Sequence, residues 1–179
     1  MTAHPGDIIW ICGVNGAGKS TLLRMIAGLL PIAAGQRRVE GSVTLSDENL
    51  ALDGNLPLEK ALAFWTGLDG RPPDALGQAL GAMQLSALTD VPVRYLSSGQ
   101  RRRASLARMI ASGARHWLLD EPYNGLDNAS SARLDDALLR HTAAGGTALV
   151  AAHQAPRVPV TATVTLSSGG PAEIQAAAR

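Results

Sequence analysis

The residues Gly13-Val14-Asn15-Gly16-Ala17-Gly18-Lys19-Ser20-Thr21 stand between the apolar run Ile8-Ile9-Trp10-Ile11-Cys12 and the stretch Leu22-Leu23-Arg24-Met25-Ile26-Ala27. Gly13, Gly18, Lys19 and Ser20 fill every fixed position of the pattern G-x-x-x-x-G-K-[ST]. A triphosphate tail is flexible and highly charged, so holding it requires a loop whose backbone N–H groups turn inward together, and glycine permits that turn. Lys19 would reach the β- and γ-phosphates and the Ser20 hydroxyl would ligate Mg²⁺. A helix beginning near Ser20 would add its positive N-terminal end.

A second group, Trp117-Leu118-Leu119-Asp120-Glu121-Pro122, ends an apolar run in two acids. If that run is a strand of a parallel sheet, both acids emerge at the carboxyl edge, where such sheets bind ligands. Asp120 would then hold Mg²⁺ through its water shell, and Glu121 would orient or deprotonate the water that attacks the γ-phosphate. Taken alone, Asp-Glu-Pro also reads as a strand end followed by a turn. A third group, Tyr95-Leu96-Ser97-Ser98-Gly99-Gln100, brings together a hydroxyl, exposed backbone N–H groups and the start of a helix. That is again an anion-binding arrangement, and it is also a common helix cap.

These groups need elements to position them. Residues 7–12 read as a strand, 20–30 as a helix stopped by Pro31, and 39–45 as a short strand. Residues 57–66 and 73–85 read as helices opened by proline, forming a compact helical insertion. Then come a helix over 99–111, a buried strand over 116–120, a helix over 130–142 with apolar Leu134, Leu138 and Leu139, and a buried strand over 147–152. Strands alternating with helices predict an α/β fold with a mainly parallel sheet covered on both faces.

A chain of 179 residues with 46% hydrophobic content is sized for one domain with a real core. Its formal net charge of +1 gives no reason to expect nucleic acid or an anionic membrane surface as the main partner, and Arg101-Arg102-Arg103 reads as a solvated helix face. The single cysteine, Cys12, reads as a small buried side chain of the first strand. No apolar run approaches the roughly eighteen residues of a membrane span, and the N-terminus lacks the basic and apolar regions of a signal peptide. The cytosol is therefore the expected compartment, with any membrane association made through partners.

The order of these groups carries a resemblance. LSSGQ followed by RRRASLARMI and then LLDEP resembles the signature segment of ATP-binding cassette (ABC) ATPases, a branch of the P-loop NTPases. The resemblance implies that Leu96, Ser97, Ser98, Gly99 and Gln100 complete the ATP site of a second copy, with Ser97 and Gly99 on the γ-phosphate, so that two composite sites form only between two protomers. It implies that Asp127, in Gly125-Leu126-Asp127, belongs to the dimer-contact loop, and that His153 touches the γ-phosphate. It also implies one ATPase domain over residues 1–179, with a helical subdomain at about residues 53–98 that docks on membrane permease subunits. Phe64 and Trp65 there read either as an apolar contact surface or as ordinary helix packing.

The wording PVRYLSSGQRRRASLARMI, WLLDEP and AAHQ is most similar to the ATP-binding subunits of the haem exporter of cytochrome c maturation. That resemblance implies ATP and Mg²⁺ as cofactors, membrane permease subunits as partners, haem or a haem chaperone as an indirect partner, and no nucleic acid. It places the chain peripherally on the cytoplasmic face of the inner membrane. Two features depart from the family pattern. The chain starts about a dozen residues before Gly13, so the strands that carry an adenine-stacking aromatic are expected to be shortened, and Trp10 reads as core. Asp47, Glu48 and Asn49 stand where the family has a glutamine. An ABC ATPase for another substrate, or a nucleotide-sensing module with weak or no turnover, is the alternative.

Overall fold

The computed structural model describes residues 1–47, 51–167 and 173–176. The chain divides into two compact units, one formed by Met1–Asp47, Ala114–Pro122 and Leu138–Arg179, the other by Glu48–Gly113 and Tyr123–Ala137.

The first unit is built on a sheet. Its strands are β1 (Ile8–Gly13), β2 (Val43–Ser46), β3 (His116–Asp120), β4 (Thr147–Ala151), β5 (Ala162–Leu166) and β6 (Glu173–Ala176), in the order β2-β3-β4-β1-β5-β6. All pairs are parallel except β5 with β6. Every residue of β4 is buried, so both faces of that strand are covered, which is why its sequence is a continuous apolar run without alternation. On one face helix α1 (Lys19–Ala27) sets Leu23 among Ile9, Ile11, Leu118, Leu149, Ala151 and Val164. Each large side chain buried there contributes about 1.5–3 kcal/mol relative to exposure.

Several expectations shift. Helix α1 ends at Gly28, three residues before Pro31. Gly28 takes the left-handed conformation, and the N–H groups of Gly28 and Leu29 close onto the carbonyls of Met25 and Arg24 at 3.1 and 2.9 Å. Trp10 is half-buried and not core; its indole N–H donates to the Ala152 carbonyl at 3.0 Å. Cys12 is likewise half-buried, 3.3 Å from the Thr165 hydroxyl. Leu139 is exposed, whereas Leu134 and Leu138 are fully buried. Strands β5 and β6 had no counterpart in the sequence reading.

The second unit is helical. Helices α2 (Leu58–Leu68), α3 (Pro73–Ala82) and α4 (Ser98–Ser112) pack on one another, and α5 (Asn128–Ala143) begins in this unit. Pro73 opens α3 at a position where a missing N–H costs nothing. The helix closes with Gln84 in the left-handed region at φ 50°, with N–H bonds from Gln84 to Gly81 and from Leu85 to Leu80. Trp65 is held by the Arg108 guanidinium 3.7 Å above its ring and by its own N–H to the Ala51 carbonyl, while Phe64 stays exposed. Trp65 thus follows the packing reading, and Phe64 is left on the surface. The arginine run is not a free solvated face either: Arg101 donates to the Leu96 carbonyl and Arg103 to the carbonyls of Met83 and Gln84.

Candidate nucleotide site

Strands β1, β3 and β4 run parallel as neighbours, so the segments that follow them leave the sheet at the same edge. After β1 comes the glycine-rich loop. Gly13 is paired with Leu166, and a Cβ on it would stand 2.5 Å from the Leu166 carbonyl oxygen, so no other residue lets β1 run beside β5 into the loop. Gly18, at φ 96°, is the turn that starts α1 without a side-chain cap and leaves the first N–H groups of the helix open to an anion.

Lys19 is the first residue of α1 and only 7% exposed. Burying an ammonium is costly unless acceptors surround it. Its Nζ donates to the carbonyls of Gly13 at 2.9 Å and Val14 at 3.4 Å, and lies 3.9 Å from Glu121 Oε1. The positive charge is therefore held at the centre of the loop. Ser20 follows it, half-buried, on the first turn.

After β3 come the acids. Asp120 is 8% exposed and level with Ala151 of β4. Glu121 has φ 44°, a left-handed conformation that costs a non-glycine residue about 1–2 kcal/mol. Its N–H donates to the Ala151 carbonyl at 2.8 Å, which compensates part of that cost and fixes the acid on β4. After β4 comes His153. Its Nε2 lies 3.6 Å from Glu121 Oε1 and 2.6 Å from Asn15 Oδ1 of the loop. Lys19, Glu121, His153 and Asn15 thus converge from three separate stretches of sequence. The side-chain partnership of Asn15 had no signal in the sequence, because it depends on β4 lying beside β1.

In the second unit, Ser97 caps α4. Its hydroxyl accepts from the Gln100 N–H at 3.2 Å while the Gln100 side chain accepts from the Ser97 N–H at 2.8 Å, a reciprocal capping box. Leu96 is buried beneath the cap, Ser98 opens the helix, and a Cβ on Gly99 would meet the Gly125 carbonyl at 3.2 Å. The signature segment therefore touches the loop that carries Asp127. Asp127 Oδ1 accepts from the Ser130 N–H at 2.7 Å, and that bond, before any charge effect, holds its carboxyl below the ordinary 3.8. The Tyr123 hydroxyl donates to Asp135 at 2.6 Å across the same loop.

A glycine-rich anion loop after β1, with an acid pair at the end of β3 two strands away on the same sheet edge, defines a P-loop nucleotide-binding protein. The ABC transporter family model matches residues 1–124. The cytochrome c biogenesis ATP-binding export protein CcmA of Sphingopyxis alaskensis is 52% identical over 159 residues, 89% of this chain and 82% of that protein. Its namesake in Rhodospirillum rubrum is 40% identical over 185 residues, 97% and 79% of the two chains. The chain belongs to the ABC transporter family, among its cytochrome c biogenesis ATP-binding export proteins. The fold agrees with solved structures. An ATP-binding subunit of an ABC transporter superposes with a TM-score of 0.87 at 21% identity, covering 98% of this chain and 81% of that one. An ATP-binding cassette in a dimeric post-hydrolysis state with ADP and Pi gives 0.87 at 19%, covering 98% and 88%. Among the described residues no helix is long and apolar enough to cross a membrane.

Proposed function

We propose that this chain is the ATP-hydrolysing subunit of a transporter that exports haem, or releases a haem-loaded chaperone, in cytochrome c maturation. The observation that carries the reading is the convergence of Lys19, Glu121 and His153 at one sheet edge, in a chain 52% identical to a cytochrome c biogenesis export protein.

In this reading the backbone from Gly13 to Thr21 and the Lys19 ammonium take the negative charge of the β- and γ-phosphates. Glu121 accepts a proton from the water whose oxygen attacks the γ-phosphorus, as the bond from that phosphorus to the ADP oxygen breaks. His153 presents Nε2 to the γ-phosphate oxygens, where a donor stabilises the charge that builds in the transition state. The Ser20 hydroxyl and the nearly buried Asp120 carboxylate are hard oxygen donors of the type Mg²⁺ takes, in a number that leaves most of its sites to phosphate and water. When bound, Mg²⁺ would supply positive charge that offsets the negative charge of the phosphates.

Ser97 and Gly99 would close the site of a second copy, with Asp127 in the contact between copies, so the active form would be an ATP-dependent dimer. The whole chain would act as one ATPase domain. Its helical subdomain, about residues 53–98, would meet membrane permease subunits at the cytoplasmic face of the inner membrane. Of the family's missing glutamine region, Glu48 and Asn49 lie outside the described residues, and Asp47 pairs with Arg24 at 3.5 Å.

The test is ATP hydrolysis by membranes in which the chain is co-expressed with its membrane partners, against the same preparation carrying Glu121→Gln. The variant should bind ATP and lose turnover by on the order of 10²-fold or more, as removal of a general base does. Unchanged turnover would refute the role of Glu121. Absent turnover in both, with nucleotide still bound, would favour a sensing module over a motor.

A further inference from the structure

We propose that Tyr123 and Asp135 are a positioning pair: the phenol hydroxyl, anchored on helix α5, holds the turn ahead of Asp127 in the shape a second copy meets, before ATP brings the copies together. The inference rests on the reading of Asp127 as part of the contact between copies.

The turn is short and exposed. The Leu126 N–H donates to the Tyr123 carbonyl at 3.1 Å, closing four residues whose third, Gly125, takes φ 76°. Asn124, Gly125 and Asp127 are exposed, so burial does not hold them in place. The turn is held by its two flanks, and both are tied to α5. On the far flank Asp127 Oδ1 accepts from the Ser130 N–H at 2.7 Å, and the Asp127 carbonyl accepts from the Ser131 N–H at 2.9 Å. On the near flank the Tyr123 hydroxyl donates to Asp135 Oδ1 at 2.6 Å, about two turns into the helix. That is the length of a hydrogen bond to an ionised carboxylate, roughly twice as strong as one between neutral groups.

A turn pinned at one flank can still swing about it. With Tyr123 fixed as well, the turn has one place relative to the helix. Ordering an exposed loop is a cost that association otherwise carries, so a loop ordered beforehand raises affinity without any new contact. The hydroxyl is what makes the tie: phenylalanine would fill the same space and leave the carboxylate without this donor. The placing also bears on the signature segment, because the Gly125 carbonyl stands where a Cβ on Gly99 would lie 3.2 Å from it.

The test uses the full chain carrying Glu121→Gln, with the dissociation constant of the ATP-bound pair measured by sedimentation. Tyr123→Phe and Asp135→Ala should each weaken pairing by about threefold to thirtyfold. The double variant should be no weaker than either single one. Affinity for ATP, measured at chain concentrations too low for pairing, should stay at the parent value, and raising the chain concentration should restore the pair in full. Amide exchange over residues 124–127 without nucleotide should be faster in both variants. Unchanged pairing in Tyr123→Phe, additive effects of the two changes, unaltered exchange, or an equal loss of ATP affinity in the unpaired chain would each overturn the proposal. Asp127→Ala separates it from the reading beneath it. If that variant pairs like the parent, or the parent fails to pair with ATP, the loop is not the contact and the proposal falls with it. If Asp127→Ala weakens pairing and Tyr123→Phe does not, the contact stands and the proposal alone fails.

Discussion

The imidazole of His141 lies flat against the indole of Trp117, ring centroids 3.8 Å apart and planes inclined by 6°. Gly146 makes the stack possible, since a Cβ on it would land among the ring atoms of His141 while its N–H is already bonded to the His141 carbonyl at 3.0 Å. Gly146→Ala should therefore push the ring off Trp117 and cost about 1–3 kcal/mol, the usual penalty for overpacking. In a His141→Ala background most of that cost should vanish. Urea unfolding of the two single variants and the double variant measures the coupling, and full additivity would mean that the glycine serves something other than the stack.

The same imidazole predicts an acid limit. Burial is the main cause that holds His141 below the ordinary 6.5, opposed by its contacts with the backbone of Thr147 and Arg115, and the neighbouring His116 pushes it lower. The unfolded chain takes up this proton first as pH falls, so the contribution is intact above about pH 6.5 and is lost from there down toward the folded value. His141→Phe keeps an aromatic ring on Trp117 and removes the titration. Its denaturation midpoint should fall less steeply below pH 6.5 than that of the wild type. Parallel curves would assign the acid loss to other groups.

Gly99 should be the least replaceable residue of the signature segment. Alanine there would press on the Gly125 carbonyl, 3.2 Å from its Cβ, and shift the loop that carries Asp127. The expected outcome for Gly99→Ala is a folded chain whose ATP-dependent pairing is weakened, read by light scattering in the Glu121→Gln background with and without ATP. Normal pairing would show that the loop yields freely.

Gln84 offers the opposite case, a site where a change should help. It is exposed and left-handed at φ 50°, at the position after the α3 cap where glycine is free of that cost. Gln84→Gly should raise stability by about 1 kcal/mol, seen as a higher denaturant midpoint at unchanged slope.

What the sequence made legible was what is local along the chain. The phosphate loop is contiguous, so its residue spacing is already its geometry, and the acids of β3 could be placed because a strand that ends in Asp-Glu can deliver them to only one edge. The end of α1 was less legible because Leu29 and Leu30 continue the apolar pattern past Gly28, and both proved exposed. Strand β5, Ala-Thr-Val-Thr-Leu, buries only Val164 and so shows a weak alternation. Trp10 looked like core because it sits mid-strand, yet its indole reaches across to Ala152. The pairing of Asn15 with His153 depends on the strand order, and no spacing along one chain encodes that directly.

One backbone bond ties two of these groups together. The N–H of Glu121 hangs from the Ala151 carbonyl, and His153 follows two residues later on the same segment. The acid and the imidazole are thus bolted to a common beam. On its other side the same segment is bonded to β1, where the Ala152 N–H donates to the Ile11 carbonyl at 3.1 Å, two residues before the phosphate loop. One strand thus sets the spacing of the acid, the imidazole and the loop together, and a change in β4 would reach all three at once.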